Sequence, residues 1–381
     1  MIVRFFRSLF VAPLWFSMVT PATRAADALV YFGTVNENKT SEGIYVSHFD
    51  SDTGALSPAV LAGKILNPSF INFHPKQPIL YSIGQRPAPN GKLFGTVESF
   101  TVDSTTGKLT PINVQPAGGN SLCYVQIDAT GKLALGASYN EGFVVAFPLQ
   151  ADGALREHST LIRHSGSSVH QRQKGPHAHC IDIDPGNRFA LVADLGLDQV
   201  LSYRIDPLTG TIAQQPEPFK TKPGAGPRHI AFGLDERHVY VISEIDSTLT
   251  LADYDPETGR LTEKQTVPLL PTDFKGLNTA AEVVVHPSGK FLYASNRGHD
   301  SLALFAIAPG TGRLTFVDYM REGIKHPRHF TIDPSGHWLL CGNRDANTVT
   351  VYRIDPQTGR LTTTPHVAKV PMPTCVKFFR P

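Results

Sequence analysis

The chain has 381 residues, 18% of them charged, with 32 glycines, 30 prolines and a formal net charge of +2. That length accommodates one large domain or two ordinary ones, and glycine or proline every few residues suits short strands and tight turns and leaves little room for long helices. The near-neutral balance gives no electrostatic case for nucleic acid or an anionic membrane surface as a partner.

Residues 1–25 read as an export signal. Arg4 and Arg7 flank an apolar stretch from Leu9 to Val19, and Pro-Ala-Thr-Arg-Ala follows. Eleven residues are short for a membrane span, which needs about 20; an uncleaved anchor is the alternative. Cleavage after Ala25 removes three arginines and no acid, leaving 32 basic against 33 acidic side chains. The mature protein, residues 26–381, is then expected in the periplasm or secreted, free of the membrane. Cys123, Cys180, Cys341 and Cys375 form no CxxC and show no regular spacing. They read as isolated thiols rather than a zinc site or a disulfide framework.

Two signals repeat along the mature chain. A turn of the form D-P-x-T-G-x-L-T appears as DSDTGALS, DSTTGKLT, QADGALRE, DPLTGTIA, DPETGRLT, APGTGRLT and DPQTGRLT. Its seven glycines (54, 107, 153, 210, 259, 312 and 359) lie 46 to 57 residues apart. Asp or Pro at the start and Gly where φ is positive describe a hairpin between outer strands. The second signal is a strand–turn–strand unit: INFHPKQPILYSIG, VQIDATGKLALGAS, IDIDPGNRFALVAD, IAFGLDERHVYVIS, VVVHPSGKFLYASN and FTIDPSGHWLLCGN. A seventh copy is split between CVKFFRP at the C-terminus and ALVYFGT at the start of the mature protein, which puts Tyr31 in the slot of Tyr81 and Tyr293. A period near 50 with four strands per unit predicts an all-β, seven-bladed β-propeller of four-stranded antiparallel blades, its ring closed by N- and C-terminal strands sharing one blade. Such a closed ring is stable as a monomer.

Residues just before the innermost strand and just after the second strand of each blade converge on one mouth of the central channel. Counting from the turn proline or its equivalent, the positions before the first strand hold Ser69-Phe70, Tyr124-Val125, His179-Cys180, Arg228-His229, Ala281-Glu282, Arg328-His329 and Cys375-Val376. The position after the second strand holds Val35, Gln85, Asn140, Leu195, Glu244, Arg297 and Arg344. Charged and imidazole groups therefore gather on the arc of repeats three to six. For any single one of these residues, a satisfied strand end is an equally good reading. Gathering the whole set in a partly dehydrated mouth is costly without a ligand or mutual pairing. HSGSSVHQRQKGPHAH, from His164 to His179, is polar and basic and reads as a loop over the same mouth.

Arginine offers bidentate bonds to carboxylate or phosphate at any relevant pH, so this mouth suits a small anionic molecule. Glu244, His177 and His179 can move protons near neutral pH. Together the groups could hydrolyse an ester or lactone, or shift a proton beside a carboxylate. His177-Ala-His179 is too short and nonspecific to indicate a metal. There is no G-x-S-x-G elbow and no dinucleotide or Walker fingerprint.

PHAHCIDIDPGNRFALVADLGLDQV, GAGPRHIAFGLDERHVYVISEIDST, AAEVVVHPSGKFLYASNRGHDSLALF and HPRHFTIDPSGHWLLCGNRDANTVTVY resemble the bacterial lactonase family of seven-bladed propellers. That family includes propeller-type 6-phosphogluconolactonases and fungal carboxy-muconate cycloisomerases, and the resemblance covers essentially the whole mature chain. It implies a catalytic set of His179, Glu244, Arg228 and Arg297, with column position favouring His179 over His177 as the family histidine. His177, His229, Glu282, Arg328, His329 and Arg172 complete the substrate-binding surface. The resemblance implies no metal and no organic cofactor. The expected substrate is an anionic lactone or carboxylic acid, phosphorylated or not, and an export signal sits poorly with a phosphorylated sugar lactone. A cycloisomerase using the same residues and a non-catalytic binding propeller are the alternatives.

Overall fold

The structure, a computed structural model, describes residues 28–37 and 39–379; residues 1–25, expected to be an export signal, lie outside them. Among the described residues the chain forms 29 strands and a single 3-10 turn, Arg344–Ala346. The strands build seven antiparallel sheets, six of them ordered in sequence from the channel outwards. We number the blades by repeat. Blade three gains a fifth strand, Phe219–Lys220, beside Gln199–Asp206. In blade seven the C-terminal strand Pro373–Phe378 pairs with Ala28–Thr34, so the last strand of the chain is innermost in the blade that the first strand begins. The seven innermost strands contact one another in an unbroken circle, which removes the open edge that a sheet otherwise presents.

The repeated turn joins the blades as well as the strands. All seven turn glycines have φ between 65° and 82°. Each also faces the preceding blade: a Cβ on Gly54 would lie 2.7 Å from the Trp338 ring, and one on Gly153 would lie 2.1 Å from Ile79 Cδ1. Glycine is therefore required twice, for its backbone conformation and for its missing side chain. Opposite these glycines, buried tyrosines of the preceding blade donate to the turn. Tyr31 bonds the Gly107 carbonyl at 2.8 Å, Tyr81 that of Gly153 at 2.9 Å, Tyr240 that of Gly312 at 2.9 Å and Tyr293 that of Gly359 at 2.5 Å. Tyr31 does occupy the slot of Tyr81 and Tyr293. Tyr81→Phe is expected to lower stability by about 1–2 kcal/mol, read as a reduced thermal midpoint with unchanged activity, because it orphans one buried carbonyl far from the mouth.

The PRH triplets owe their recurrence to backbone geometry. In the innermost strands Pro227–Phe232 and Pro327–Ile332, the register to the second strand shifts between Pro227 and His229 and between Pro327 and His329. Arg228 and Arg328 are the extra residues of β-bulges. A bulge breaks the strict alternation of a strand, so adjacent arginine and histidine both serve the channel. Blade three shifts likewise between Ala178 and Cys180, making His179 its bulge residue. In blade five Ala281 and Glu282 fall within the shift.

One column is corrected. Blade two has no turn proline to count from, and its innermost strand pairs Tyr124 with Ala137 as blade four pairs His229 with Ile242. Tyr124 therefore shares His229's slot, Cys123 stands where Arg228 and Arg328 do, and Tyr139 replaces Asn140 at the exit of the second strand.

Candidate active site

Glu244 follows the second strand of blade four, and three guanidiniums converge on its carboxylate. Oε2 receives Arg228 Nε at 2.8 Å and Arg297 Nη2 at 2.9 Å, while Oε1 receives Arg172 Nη2 at 2.6 Å. Glu244, Arg228 and Arg297 are 4%, 1% and 8% exposed. Arg228 also donates to the Ala281 carbonyl at 2.7 Å, and Arg297 to the carbonyls of Thr279 and Ala280 at 3.2 and 3.0 Å. Burial pushes the Glu244 pKa up, but the charges of Arg297, Arg228 and Arg172 overcome it and hold the carboxyl far below the ordinary range. Arg297, buried beside other cations, is pushed down to about 9 despite Glu244.

Arg172 reaches this cluster from the long loop, which is strand-free from residue 164 to 177. Buried Gln173 and half-buried Ser168 tie that loop to Asp198, at 2.7 and 2.5 Å, and Asp198 also accepts from the backbone of Gly224 and Gly226 at 2.7 Å. One carboxylate thus fixes both the loop carrying Arg172 and the approach to Arg228. Tyr139 accepts a second bond from Arg172 at 2.9 Å and stacks on His177 at 4.4 Å. His177 Nδ1 donates to the Tyr139 carbonyl at 2.6 Å, which leaves its half-buried Nε2 as an acceptor. Tyr139 and Asp198 went unnoticed in the sequence. The first was hidden by the one-residue slip in blade two, and the second has no column to mark it.

Arg328 differs from the other arginines. Its guanidinium is half-buried and makes no hydrogen bond or ion pair among the described residues. Burial, then the charge of Arg228, pushes its pKa down to about 10. Arg344, by contrast, is taken by Glu37 and Asp345.

Deeper in the channel lies a second constellation. Glu282 Oε2 stands 3.0 Å from His229 Nδ1 and 3.3 Å from His329 Nε2. Phe70 and Tyr124 stack at 4.0 Å and present edges or faces to His229 and His329, closing the floor with apolar surface from blades one and two. Burial foremost lowers these histidines, His229 to about 4, His329 to about 3, and His179 well below its usual value. Glu282 is lowered to about 2 against its burial by His229 and His329. The structure thus brings nine of the ten expected residues into two adjoining clusters, and leaves Arg328 beside them without a partner.

These shifts fix a pH dependence. Between pH 6.5 and about 4 the unfolded chain protonates histidines that the folded chain keeps neutral, so stability is full above 6.5 and falls on acidification. Calorimetry should show the thermal midpoint dropping through that window, with a further loss below pH 4.5 as Glu282 is protonated in the unfolded state. A flat profile from pH 7.5 to 4.5 would contradict the buried neutral imidazoles.

Among the described residues no group of three or more His, Cys, Asp or Glu is arranged to hold a metal, and no helix is long and apolar enough to cross a membrane. All four cysteines are free. A separate groove of about 620 Å³ lies across the inner and outer turns of blades one to three, lined by exposed Lys76, Lys132 and Arg156. No carboxylate or imidazole cluster converges on it.

The architecture and this arginine-rich mouth define a class: a seven-bladed propeller with a buried arginine–glutamate cluster at one mouth of its channel. A family model described as "Lactonase, 7-bladed beta-propeller" matches residues 29–378, and the chain belongs to that family. It is 35% identical over 348 residues to a 6-phosphogluconolactonase of Bacillus subtilis, covering 91% of this chain and 97% of that one. It is 27% identical over 317 residues to a 6-phosphogluconolactonase of Formosa agariphila, covering 79% and 85%. Among solved structures, the Pseudomonas aeruginosa periplasmic gluconolactonase PpgL superposes with a TM-score of 0.87 at 29% identity, over 93% of this chain and 99% of that one.

Proposed function

We propose that this protein is an exported, monomeric, metal-independent hydrolase of unphosphorylated aldonolactones, acting in the periplasm or outside the cell. The observation that carries the reading is the unequal commitment of the arginines. Arg172, Arg228 and Arg297 are bound to Glu244, whereas Arg328 has a guanidinium to offer. A guanidinium with no ion pair among the described residues, set beside neutral imidazoles, matches the single negative charge that develops on a lactone carbonyl under attack. A dianionic phosphate ester calls for several free bidentate donors, and among the described residues Arg172, Arg228 and Arg297 are already held by Glu244. The basic, apolar leader and the likeness to a periplasmic gluconolactonase support the location and the substrate class.

Glu244 serves here as the anchor of the arginines rather than as a base, because both its oxygens are occupied and its basicity is suppressed. Proton transfer falls to the imidazoles near it, His177 at the rim, His179 in the bulge of blade three and His229 below the arginines. Arg228 and Arg297 shape the floor beneath Arg328 and add to its field.

Proton release from gluconolactone and its 6-phosphorylated counterpart, with purified mature protein, tests the reading. The expected result is a higher kcat/KM for the unphosphorylated lactone, unchanged by EDTA. Preference for the phosphorylated compound would reverse the substrate assignment, and loss of activity with EDTA would overturn metal independence.

A further inference from the structure

Below the guanidiniums two buried imidazole nitrogens have no partner among the described residues: Nδ1 of His179 and Nε2 of His229. Their rings stand 5.1 Å apart, centroid to centroid, at 62°, and the residues are 5% and 4% exposed. Leaving a buried polar atom unpaired is costly. Two of them on neighbouring rings describe a seat for one small polar ligand.

The tautomer of His229 follows from its neighbours. The Glu282 carboxylate can only accept, so His229 Nδ1 carries the proton at their 3.0 Å contact and Nε2 carries the lone pair. His329 is fixed in the same way. The Val376 N–H donates to its Nδ1 at 3.3 Å, which places its proton on Nε2, facing Glu282 at 3.3 Å. Glu282 thus collects two imidazole N–H groups and orients His229, as a carboxylate orients the histidine of a hydrolytic triad. Around His229 stand Glu282, His179, Arg228, Arg328, and the rings of Phe70 and Tyr124, with His329 reached through Glu282.

We propose that His179 Nδ1 and His229 Nε2 hold the water that attacks the lactone carbonyl, with His229 as general base and Glu282 as its positioning residue. This rests on the lactonase reading above. The water oxygen bonds to the carbonyl carbon, its proton passes to His229 Nε2, and the carbonyl electron pair moves onto the oxygen facing Arg328. When the adduct collapses, the ring C–O bond breaks and the departing oxygen takes the proton from Nε2. The product is the open hydroxy acid, which releases its carboxyl proton to solution. The imidazolium formed between the two steps is stabilised by Glu282.

The test is steady-state hydrolysis of gluconolactone by His229→Gln and Glu282→Gln, both close in size to the native residue and both checked for a cooperative thermal transition. For His229→Gln, kcat is expected to fall about 10²–10³-fold, with KM changed less than about threefold. Glu282→Gln is expected to lower kcat and move the acid limb of the kcat profile to lower pH, because Glu282 raises the His229 pKa. A merely structural carboxylate would leave that limb in place. A His229→Gln protein with kcat within about threefold of the unaltered enzyme overturns the inference and leaves the lactonase reading standing. An unmoved acid limb in Glu282→Gln overturns it equally, even if His229→Gln fails to fold. Absence of turnover by the unaltered protein overturns both.

Discussion

Arg328→Met is expected to make the protein more stable and nearly inactive. The guanidinium is half-buried, lies near Arg228 and Arg344, and has no carboxylate of its own among the described residues. Replacing an uncompensated charge by an apolar chain of similar reach should contribute about 1 kcal/mol, a rise of about 1–3 °C in the thermal midpoint. The same change removes the donor that faces the developing oxyanion, and kcat should fall about 10²–10³-fold. Opposite signs for stability and activity separate this residue from a structural arginine, whose loss would lower both. Arg328→Lys should recover only a fraction of the rate, since a point charge does not reproduce the planar fork. The measurement is a thermal melt and an initial rate on the same preparation. A destabilised Arg328→Met protein with normal turnover would show that the side chain merely props the mouth.

Glu244→Gln should have the largest effect on stability. A neutral amide would face Arg172, Arg228 and Arg297 in a site where Glu244 is 4% exposed. Breaking a buried ion pair by removing one partner costs about 3–5 kcal/mol, because the remaining charge stays buried. Activity should fall at least about 100-fold, since the arginines lose the group that sets their positions. The mechanism makes a further demand. Sulfate or phosphate should restore part of the lost stability in Glu244→Gln and raise the unaltered protein far less, because an anion can take the vacated carboxylate's place among the guanidiniums. Equal stabilisation of both proteins by sulfate would mean that the arginines do not depend on Glu244 for neutralisation.

Much of this was legible in the sequence because a closed propeller repeats its chemistry. The hairpin glycines are forced by positive φ and by contact with the preceding blade, so they recur and set the period. Tyr31 could be aligned across the termini because its hydroxyl makes the same bond as those of Tyr81 and Tyr293. The clustering of Arg228, Glu244 and Arg297 followed from counting positions relative to a turn. What counting could not supply was backbone irregularity. The bulges at His179, Arg228 and Arg328 leave no mark in composition, and blade two, lacking a turn proline, hid Tyr139 behind Asn140. Nor does spacing reveal commitment. Four arginines in a column list look alike, and only contacts distinguish the three held by Glu244 from Arg328. The loop from His164 was readable as a cover for the mouth, but its anchor, Asp198, is one buried aspartate among many in the sequence.

The proposed site places lactones at the channel mouth of blades three to six, with their carbonyl at Arg328. A crystal structure with a lactam analogue of gluconolactone, which keeps the carbonyl but resists hydrolysis, tests it most directly. The analogue's carbonyl oxygen is expected within about 3 Å of the Arg328 guanidinium, over His179 and His229. An analogue lodged instead in the groove beside Lys76, Lys132 and Arg156, with Arg328 untouched, would contradict it.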